Sequence, residues 1–238
     1  MKNSKEYSEK LHKFRRSSKK AAKTRKVGYE DPIDGLVFGI VSECLSEAEA
    51  EAAMKRFSDY FINLNDLRVS RVEEIVDVAG KDTPQTRQMA ATLIKVLRAV
   101  FDKYHSISLK GLKKLGKKPA RQAIEKLNGI TPFAIDCCML TSMQAHAVPV
   151  TGKMMEYLKS NDLVHPEAGE EEIRGFLAKH IPAQQAFEFY QCLKAESEGA
   201  PAKTHSSSKI ENQTAQEEAG GSRTVAKKTT KKPTADGA

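Results

Sequence analysis

The sequence predicts an all-α fold, and three observations support that prediction. Apolar residues recur at spacings of three and four through most of the 238-residue chain, which places them on one face of an α-helix. Serine or threonine introduces several of these runs, followed by acidic residues or proline, as in the first turn of a helix. No stretch alternates apolar and polar residues as a half-buried strand does, and Ile107 with Leu109 would make at most one residue pair of extended chain.

Nine helical runs follow one another through the middle of the chain. The first is apolar enough to be buried, and the second begins at Ser46, whose side chain can cap it. Residues 64–67 form a short step, after which the third run begins at Ser70, with Glu73 at the position of a capping box. The fourth run is the longest and carries its apolar residues on one side. In chain order the predicted helices are 32–44, 46–62, 70–78, 84–104, 119–126, 132–143, 152–160, 169–180 and 182–194.

The two ends of the chain differ from the middle in composition. Residues 1–26 hold eleven Lys and Arg against two Glu, a net charge of +9, and lack a steady apolar period. The sequence therefore predicts a disordered basic arm over 1–28. Residues 195–238 are rich in Ala, Ser, Thr, Lys and Gly, which predicts a disordered, low-complexity tail. Between them, 27–194 carries a net charge of −2, so the +8 of the whole chain resides mainly in the arm.

Charge and cysteine content restrict the class of protein. A basic arm suits a polyanionic partner, because each phosphate contact releases counterions, although a solubilising tail has the same composition. No apolar run is long enough to span a membrane, and the charged N-terminus lacks the apolar segment of a secretory signal. We expect reduced thiols and a cytoplasmic, nucleoid-associated or nuclear protein that is not secreted, since the cysteines match neither a disulfide framework nor a metal site; they are Cys44, Cys137, Cys138 and Cys192.

The stretch LNGITPFAIDCCML (127–140) joins two predicted helices by a short turn. Pro119 suits the first position of the helix before the turn, which follows the basic run KGLKKLGKK (110–118). Gly129 can adopt a positive φ, and Thr131 can cap the next helix. A helix that begins there has free backbone N–H groups that can bind a phosphate. An αα-hairpin that only packs is the alternative interpretation.

The same stretch resembles the helix-hairpin-helix of the endonuclease III superfamily of DNA glycosylases, the HhH-GPD proteins, whose pattern is close to L-P-G-V-G-x-K-T-A. Three other segments, 36–57, 86–104 and 146–158, resemble the superfamily's first helices, the segment before its hairpin and its P-V-D-T-H-V-x-R-V motif, in that order. The resemblance covers 31–194, most of the chain between its two ends. It implies a two-lobed helical domain over 29–194, with the hairpin near 119–143 and a cleft between the lobes.

The resemblance also implies a function in base excision repair. Enzymes of this superfamily grip duplex DNA with the hairpin and extrude a damaged base into the cleft, so we expect double-stranded DNA as the partner of a monomeric protein, with no membrane partner. The expected DNA contacts are Asn128, Gly129, Ile130, Thr131, Lys113, Lys114, Lys117, Lys118 and Lys153. The hairpin departs from the pattern at Thr131, which replaces a glycine, and at Pro132, which removes an N–H donor.

Three cleft positions depart from the pattern in ways that bear on catalysis. The superfamily's aspartate, which stabilises the positive sugar as the base leaves, aligns with Thr151, which carries no charge. The hairpin lysine that forms a Schiff base in bifunctional members aligns with Phe133, eighteen residues earlier as in the superfamily. The glutamine that fills the space left by the extruded base aligns with Cys44. The sequence thus predicts a DNA-binding protein on a glycosylase scaffold whose catalytic positions are degenerate.

Two alternatives stay open. An active glycosylase or abasic-site lyase could use relocated groups, with Lys153 as the amine and Asp136 as the carboxylate. A helical protein-interaction module is favoured by the negative charge of 27–194 and by the acidic cluster 170–172. The superfamily's four-cysteine iron–sulfur loop has no counterpart, because Cys192 alone cannot hold a cluster. We expect no other cofactor, except a monovalent cation that the resemblance places at the hairpin carbonyls.

Overall fold

The computed structural model describes residues 4–18 and 28–199, and these residues lie within one compact unit. They form helices and two 3₁₀ turns without any strand, which confirms the all-α prediction. The helices are α1 (Ser4–Ser18), α2 (Pro32–Cys44), α3 (Glu47–Tyr60), α4 (Leu64–Val69), α5 (Val72–Ala79), α6 (Pro84–Tyr104), α7 (Lys117–Glu125), α8 (Pro132–Thr141), α9 (Gly152–Ser160), α10 (Glu170–His180) and α11 (Ala186–Gly199). The 3₁₀ turns are Lys110–Leu115 and Ala183–Gln185.

Local capping signals explain most of the helix starts. Ser46 caps α3 in a capping box with Glu49, and Thr131 caps α8, whose first residue is Pro132. The prediction for Ser70 is wrong, because Ser70 ends α4 by donating its hydroxyl to the Asp66 carbonyl, and α5 begins without a side-chain cap. Helix α7 begins two residues before Pro119, where the sequence predicted that the proline would start it.

Helix α1 differs from the disordered arm that the sequence predicted for 1–28. Its residues Tyr7 and Leu11 are buried, and the Phe14 ring lies 6.0 Å from the ring of Tyr157 in α9 and 6.2 Å from that of Phe189 in α11. The stripe of apolar residues holds the helix to the second half of the chain despite its basic composition. The rest of the arm, 1–3 and 19–27, and the tail from 200 onward lie outside the described residues. Residues 195–199, predicted as tail, belong to α11.

The described residues contain two hydrophobic clusters. The first cluster is built from α2 to α8 and the segments between them. The second cluster is built from α1, α9, α10 and α11, together with Phe133 and Cys137 of α8. Helix α8 therefore contributes one face to each cluster, because Ala134 and Cys138 lie in the first. Among the described residues, no helix has the length and apolar character needed to cross a membrane.

Helices α2 and α8 approach each other closely, and this contact positions the hairpin. A Cβ atom at Gly39 would lie 2.9 Å from the Cα atom of Ala134, so only glycine allows the observed spacing. The two helices make the most extensive helix–helix contact in the described chain. The N-terminus of α8 is consequently fixed against the C-terminal half of α2, where Glu43 and Cys44 lie.

Candidate nucleic-acid interface and cleft

The turn between α7 and α8 has the backbone geometry of a tight hairpin. Gly129 has φ +88°, a left-handed conformation that costs glycine little and other residues about 1–2 kcal/mol. The methylene chain of Lys95 packs over it, since a Cβ atom there would lie 2.6 Å from Lys95 Cδ. The turn exposes Asn128 and leaves Ile130 and Thr131 partly exposed. The predicted contact residues of the turn are therefore accessible at one edge of the molecule.

A polar contact pins this hairpin to α2. The Thr131 hydroxyl accepts a hydrogen bond from the Ala134 N–H (3.2 Å) and donates one to the Glu43 carboxylate (2.6 Å). Burial raises the pKa of Glu43, an effect opposed by the hydrogen bond from Thr131 and by the charge of Arg174. Glu43 precedes Cys44 at the end of α2, so the hairpin and one predicted cleft position are joined through a single carboxylate.

Four of the five lysines predicted to contact DNA lie before the hairpin, and they divide into two groups. Lys113 donates to the Tyr29 carbonyl (3.5 Å) and Lys117 to the Gln144 carbonyl (2.6 Å), so both are held against the body of the protein. Lys114 and Lys118 are exposed, and their side chains make no hydrogen bond or ion pair with another described residue. These two ammonium groups are free to meet a phosphate, next to the N-terminal end of α7.

Phe133 occupies a buried site. Only 1 % of its surface is exposed, its side chain belongs to the second cluster, and its ring lies 6.1 Å from that of Tyr190 in α11. Thr151 caps α9, and its hydroxyl accepts a hydrogen bond from the Met154 N–H (3.3 Å). Both residues thus have structural partners within the protein.

Cys44, the third predicted cleft position after Phe133 and Thr151, lies half-buried at the end of α2. Burial, reinforced by the charge of Glu43, raises the pKa of its thiol to about 11. The thiol is therefore protonated at neutral pH and is a poor nucleophile.

Asp136, a predicted candidate for a relocated carboxylate, lies between two arginines. Its Oδ1 accepts from Arg121 Nη1 of α7 (2.7 Å) and its Oδ2 from Arg174 Nη1 of α10 (2.6 Å), and its side chain is 7 % exposed. Arg174 also binds Glu170 and the carbonyl of Val150, just before Thr151. Both carboxylate oxygens are engaged, so the group ties α7, α8 and α10 together.

Two further amines lie at helix ends: Lys153 at the start of α9 and Lys194 beside the end of α2. Lys153 is exposed in the first turn of α9. Lys194, which the sequence analysis did not single out, is buried: its Nζ donates to the Ser42 carbonyl (2.9 Å) and lies 3.1 Å from Glu47 Oε2. It occupies the position four residues after buried Tyr190, and this helical spacing is the sequence signal that could have identified it.

No group of three or more His, Cys, Asp and Glu side chains that could hold a metal ion occurs among residues 4–18 and 28–199. Cys137 and Cys138 are buried, and burial raises the pKa of Cys138 to about 12, which disfavours the thiolate that a metal or cluster would bind. The hairpin cation and the lack of an iron–sulfur cluster stay predictions.

Solved structures of DNA glycosylases have the same fold as this chain. A trapped endonuclease III–DNA covalent intermediate superposes with a TM-score of 0.61 at 15 % identity, covering 82 % of this chain and 85 % of the other. A Clostridium acetobutylicum 8-oxoguanine glycosylase/lyase, in complex with double-stranded DNA containing cytosine opposite 8-oxoguanine, gives 0.59 at 18 % identity over 83 % and 70 %. A thermostable thymine-DNA glycosylase gives 0.59 at 16 % identity over 84 % and 90 %.

The chain therefore has the HhH-GPD fold of endonuclease III and related glycosylases, as the sequence resemblance predicted. No protein-family model and no curated protein matches its sequence. The structural likeness therefore concerns the arrangement of the helices.

Proposed function

We propose that this protein binds duplex DNA through its hairpin, on a glycosylase scaffold that has lost the charged groups of the glycosylase reaction. The observation that carries the proposal is the burial of Phe133 against Tyr190. An aromatic ring cannot form a Schiff base, and its removal from the core would cost about 3–5 kcal/mol. The side chain at this position has become part of the protein's packing.

Retention of the hairpin supports the DNA-binding part of the proposal. Its glycine is in the left-handed conformation, its second helix is capped, and the free ammonium groups of Lys114 and Lys118 lie beside its first helix. Such contacts are made with phosphates and are independent of base sequence. The solved structures that share the fold include complexes with DNA, and the proposal places this protein on DNA in the nucleoid or nucleus.

The neutral Thr151 supports the second part of the proposal. The positive sugar that forms as a base leaves is stabilised by a nearby negative charge, which a hydroxyl cannot supply. The nearest buried carboxylate in the same helix as Phe133 is Asp136, and both of its oxygens bind arginines. Because the two guanidinium charges offset the charge of this carboxylate, it would stabilise a positively charged sugar only weakly.

Buried Lys194 favours the second candidate function, an abasic-site lyase with a relocated amine. It lies beside the end of α2, close to Cys44, and it shares α11 with Tyr190, the residue that covers Phe133. Its amine is held by the Ser42 carbonyl and by Glu47, and it would have to leave both to attack a sugar. Exposed Lys153 is the other amine that this candidate allows.

Binding isotherms of the full chain with an unmodified duplex, measured at several salt concentrations, test the proposal. The logarithm of the binding constant should fall steeply with the logarithm of the salt concentration. Changing Lys114→Gln and Lys118→Gln together should reduce that slope by about 2, or about 1 for each phosphate contact. Lys55→Gln with Lys179→Gln is the matched control, since both lysines are exposed, lie in α3 and α10, and make no side-chain hydrogen bond or ion pair with another described residue. Absence of binding, or equal effects of the two pairs, would contradict the proposal.

A further inference from the structure

A groove on the surface formed by α3 and α5 has no role in the proposed DNA contact. It has a volume of about 830 Å³ and is lined by Arg56, Asp59, Tyr60, Arg71, Glu73, Glu74, Asp77 and Val78. None of these residues belongs to the hairpin helices α7 and α8. Four carboxylates stand against two guanidinium groups in the lining, so a phosphate backbone would be repelled from it.

One of the two arginines of the groove binds backbone carbonyl groups. Arg56 donates from Nε to the Val78 carbonyl (2.8 Å) and from Nη2 to the Ala79 carbonyl, at the C-terminal end of α5. The carboxylates of Asp59 and Asp77 make no hydrogen bond or ion pair with another described residue. The Tyr60 hydroxyl donates to Glu74 (3.3 Å), and the charges of Glu74, Asp66 and Asp77 raise the pKa of Tyr60. Arg87 lies 3.9 Å from Glu73 across an exposed ion pair. With Arg87 counted, four carboxylates face three guanidinium groups, so the groove keeps a net negative charge.

Exposed apolar side chains are concentrated at the same place. Four large apolar residues are exposed in the described chain, and three of them are Tyr60 (58 %), Ile62 (90 %) and Val69 (57 %). Tyr60 lines the groove, and the other two lie within two residues of lining residues, or about 7 Å along the chain. Exposed apolar surface rimmed by polar and charged groups is typical of a protein-binding site.

We propose that the α3–α5 groove is the docking surface for a lysine- or arginine-rich peptide segment of another protein, with an apolar side chain of that segment packed on Tyr60. Opposite charge brings the segment to the groove and fixes its register. The aromatic ring supplies contact area at the centre of the surface. Because the groove is separate from the hairpin, the protein would bind DNA and this partner at the same time.

The inference can be tested by fluorescence anisotropy. The full chain is titrated into a labelled lysine-rich peptide that carries one central leucine. Binding should weaken about tenfold for Tyr60→Ala and about three- to tenfold for Asp59→Asn with Asp77→Asn. The same peptide with serine in place of leucine should bind about tenfold more weakly, and one with glutamate in place of lysine should not bind. Glu156→Gln with Glu171→Gln, two exposed acids of α9 and α10, is the matched control and should leave binding unchanged.

Each other outcome would overturn the inference. Equal effects of the groove and control variants, or equal affinity for the serine peptide, would reduce the interaction to nonspecific charge attraction. Self-association of the full chain that Tyr60→Ala abolishes would make a second copy the occupant. A weaker affinity of Asp59→Asn with Asp77→Asn for duplex DNA would assign the groove to the DNA surface. The duplex isotherms of the unchanged protein are independent of these results, so failure here leaves the proposed function standing.

Discussion

Asp136 joins three helices through one carboxylate, although the sequence analysis considered it for catalysis. Its two oxygens bind Arg121 of α7 and Arg174 of α10, and both contacts are short. A buried charge that is paired on both sides is expensive to disrupt, because the partners are left without compensation. The residue therefore positions the hairpin relative to α10, and its role can be measured as stability.

Asp136→Asn should lower the free energy of unfolding by about 3 kcal/mol, at the low end of the range for breaking a buried pair. The amide presents an N–H group to one of the two arginines, and Arg121 is 38 % exposed, so water compensates part of the loss. Glu125→Gln removes another partner of Arg121, but on the surface, and should cost less than about 1 kcal/mol. Urea denaturation followed by circular dichroism measures both, and equal losses would refute the buried bridge.

The thiol of Cys44 should react slowly for a partly exposed cysteine. With its pKa raised to about 11, its thiolate fraction at pH 8 is about 100-fold lower than that of a thiol with the ordinary value of 9.0. The rate of iodoacetamide labelling should therefore keep rising about tenfold per pH unit up to about pH 11. Peptide mapping by mass spectrometry follows the modified residue, and a rate that levels off below pH 9.5 would show that the thiol is not perturbed.

At the scale of secondary structure, the turn between α7 and α8 depends on the left-handed conformation of Gly129. Gly129→Ala should destabilise the protein by about 1–2 kcal/mol, because φ +88° is unfavourable for alanine and the new Cβ meets Lys95. It should also weaken duplex binding by displacing the turn. Gly111→Ala, where a Cβ atom meets nothing within 4 Å, is the control and should be nearly neutral. Thermal melts and duplex isotherms of the two variants provide the comparison.

The link between the hairpin and α2 should make stability depend on pH. Burial raises the pKa of Glu43, so the folded state favours its protonated form. The stability that Glu43 contributes is then present below its unfolded pKa and is lost as pH rises through the raised folded value. Glu43→Gln keeps an oxygen for Thr131 without a charge, so this variant should gain stability relative to the natural protein between pH 4 and pH 7. An unchanged difference across that range would rule out a raised pKa.

Local signals were sufficient to predict several elements and insufficient for others. The bounds of α2 and α6 agree with the prediction because each begins at a proline after a capping residue and carries an unbroken apolar period. Helix α1 was missed because Tyr7, Leu11 and Phe14 are few among many basic residues, and their burial depends on α9 and α11. Similarly, the burial of Lys194 depends on α2 and α3, which are distant in sequence. The identity of Phe133 predicted that no amine is present, but its packing against Tyr190 required the structure.

At the scale of the whole molecule, α1 changes how the basic arm can be tested. Deletion of 1–26 would remove buried Tyr7 and Leu11 and destabilise the second cluster. Neutralising the basic residues after α1 avoids that effect; they are Lys19, Lys20, Lys23, Arg25 and Lys26. Changing all five to Gln should reduce the salt dependence of duplex binding by up to about 4–5 units of slope, or 0.9 per contact. A slope unchanged by these five substitutions would exclude the segment from the DNA contact.

We propose that the molecule keeps the glycosylase fold and binds DNA without an amine that attacks the deoxyribose of an abasic site. The direct test is to incubate the full chain with a duplex that contains one abasic site, in the presence of borohydride. Borohydride reduces a Schiff base to a stable covalent adduct. We expect the duplex to be bound and no covalent adduct to appear on a denaturing gel. An adduct that forms with the abasic duplex but not with the unmodified duplex would show that the protein has such an amine. Peptide mapping would then identify Lys153, Lys194 or another amine as the nucleophile.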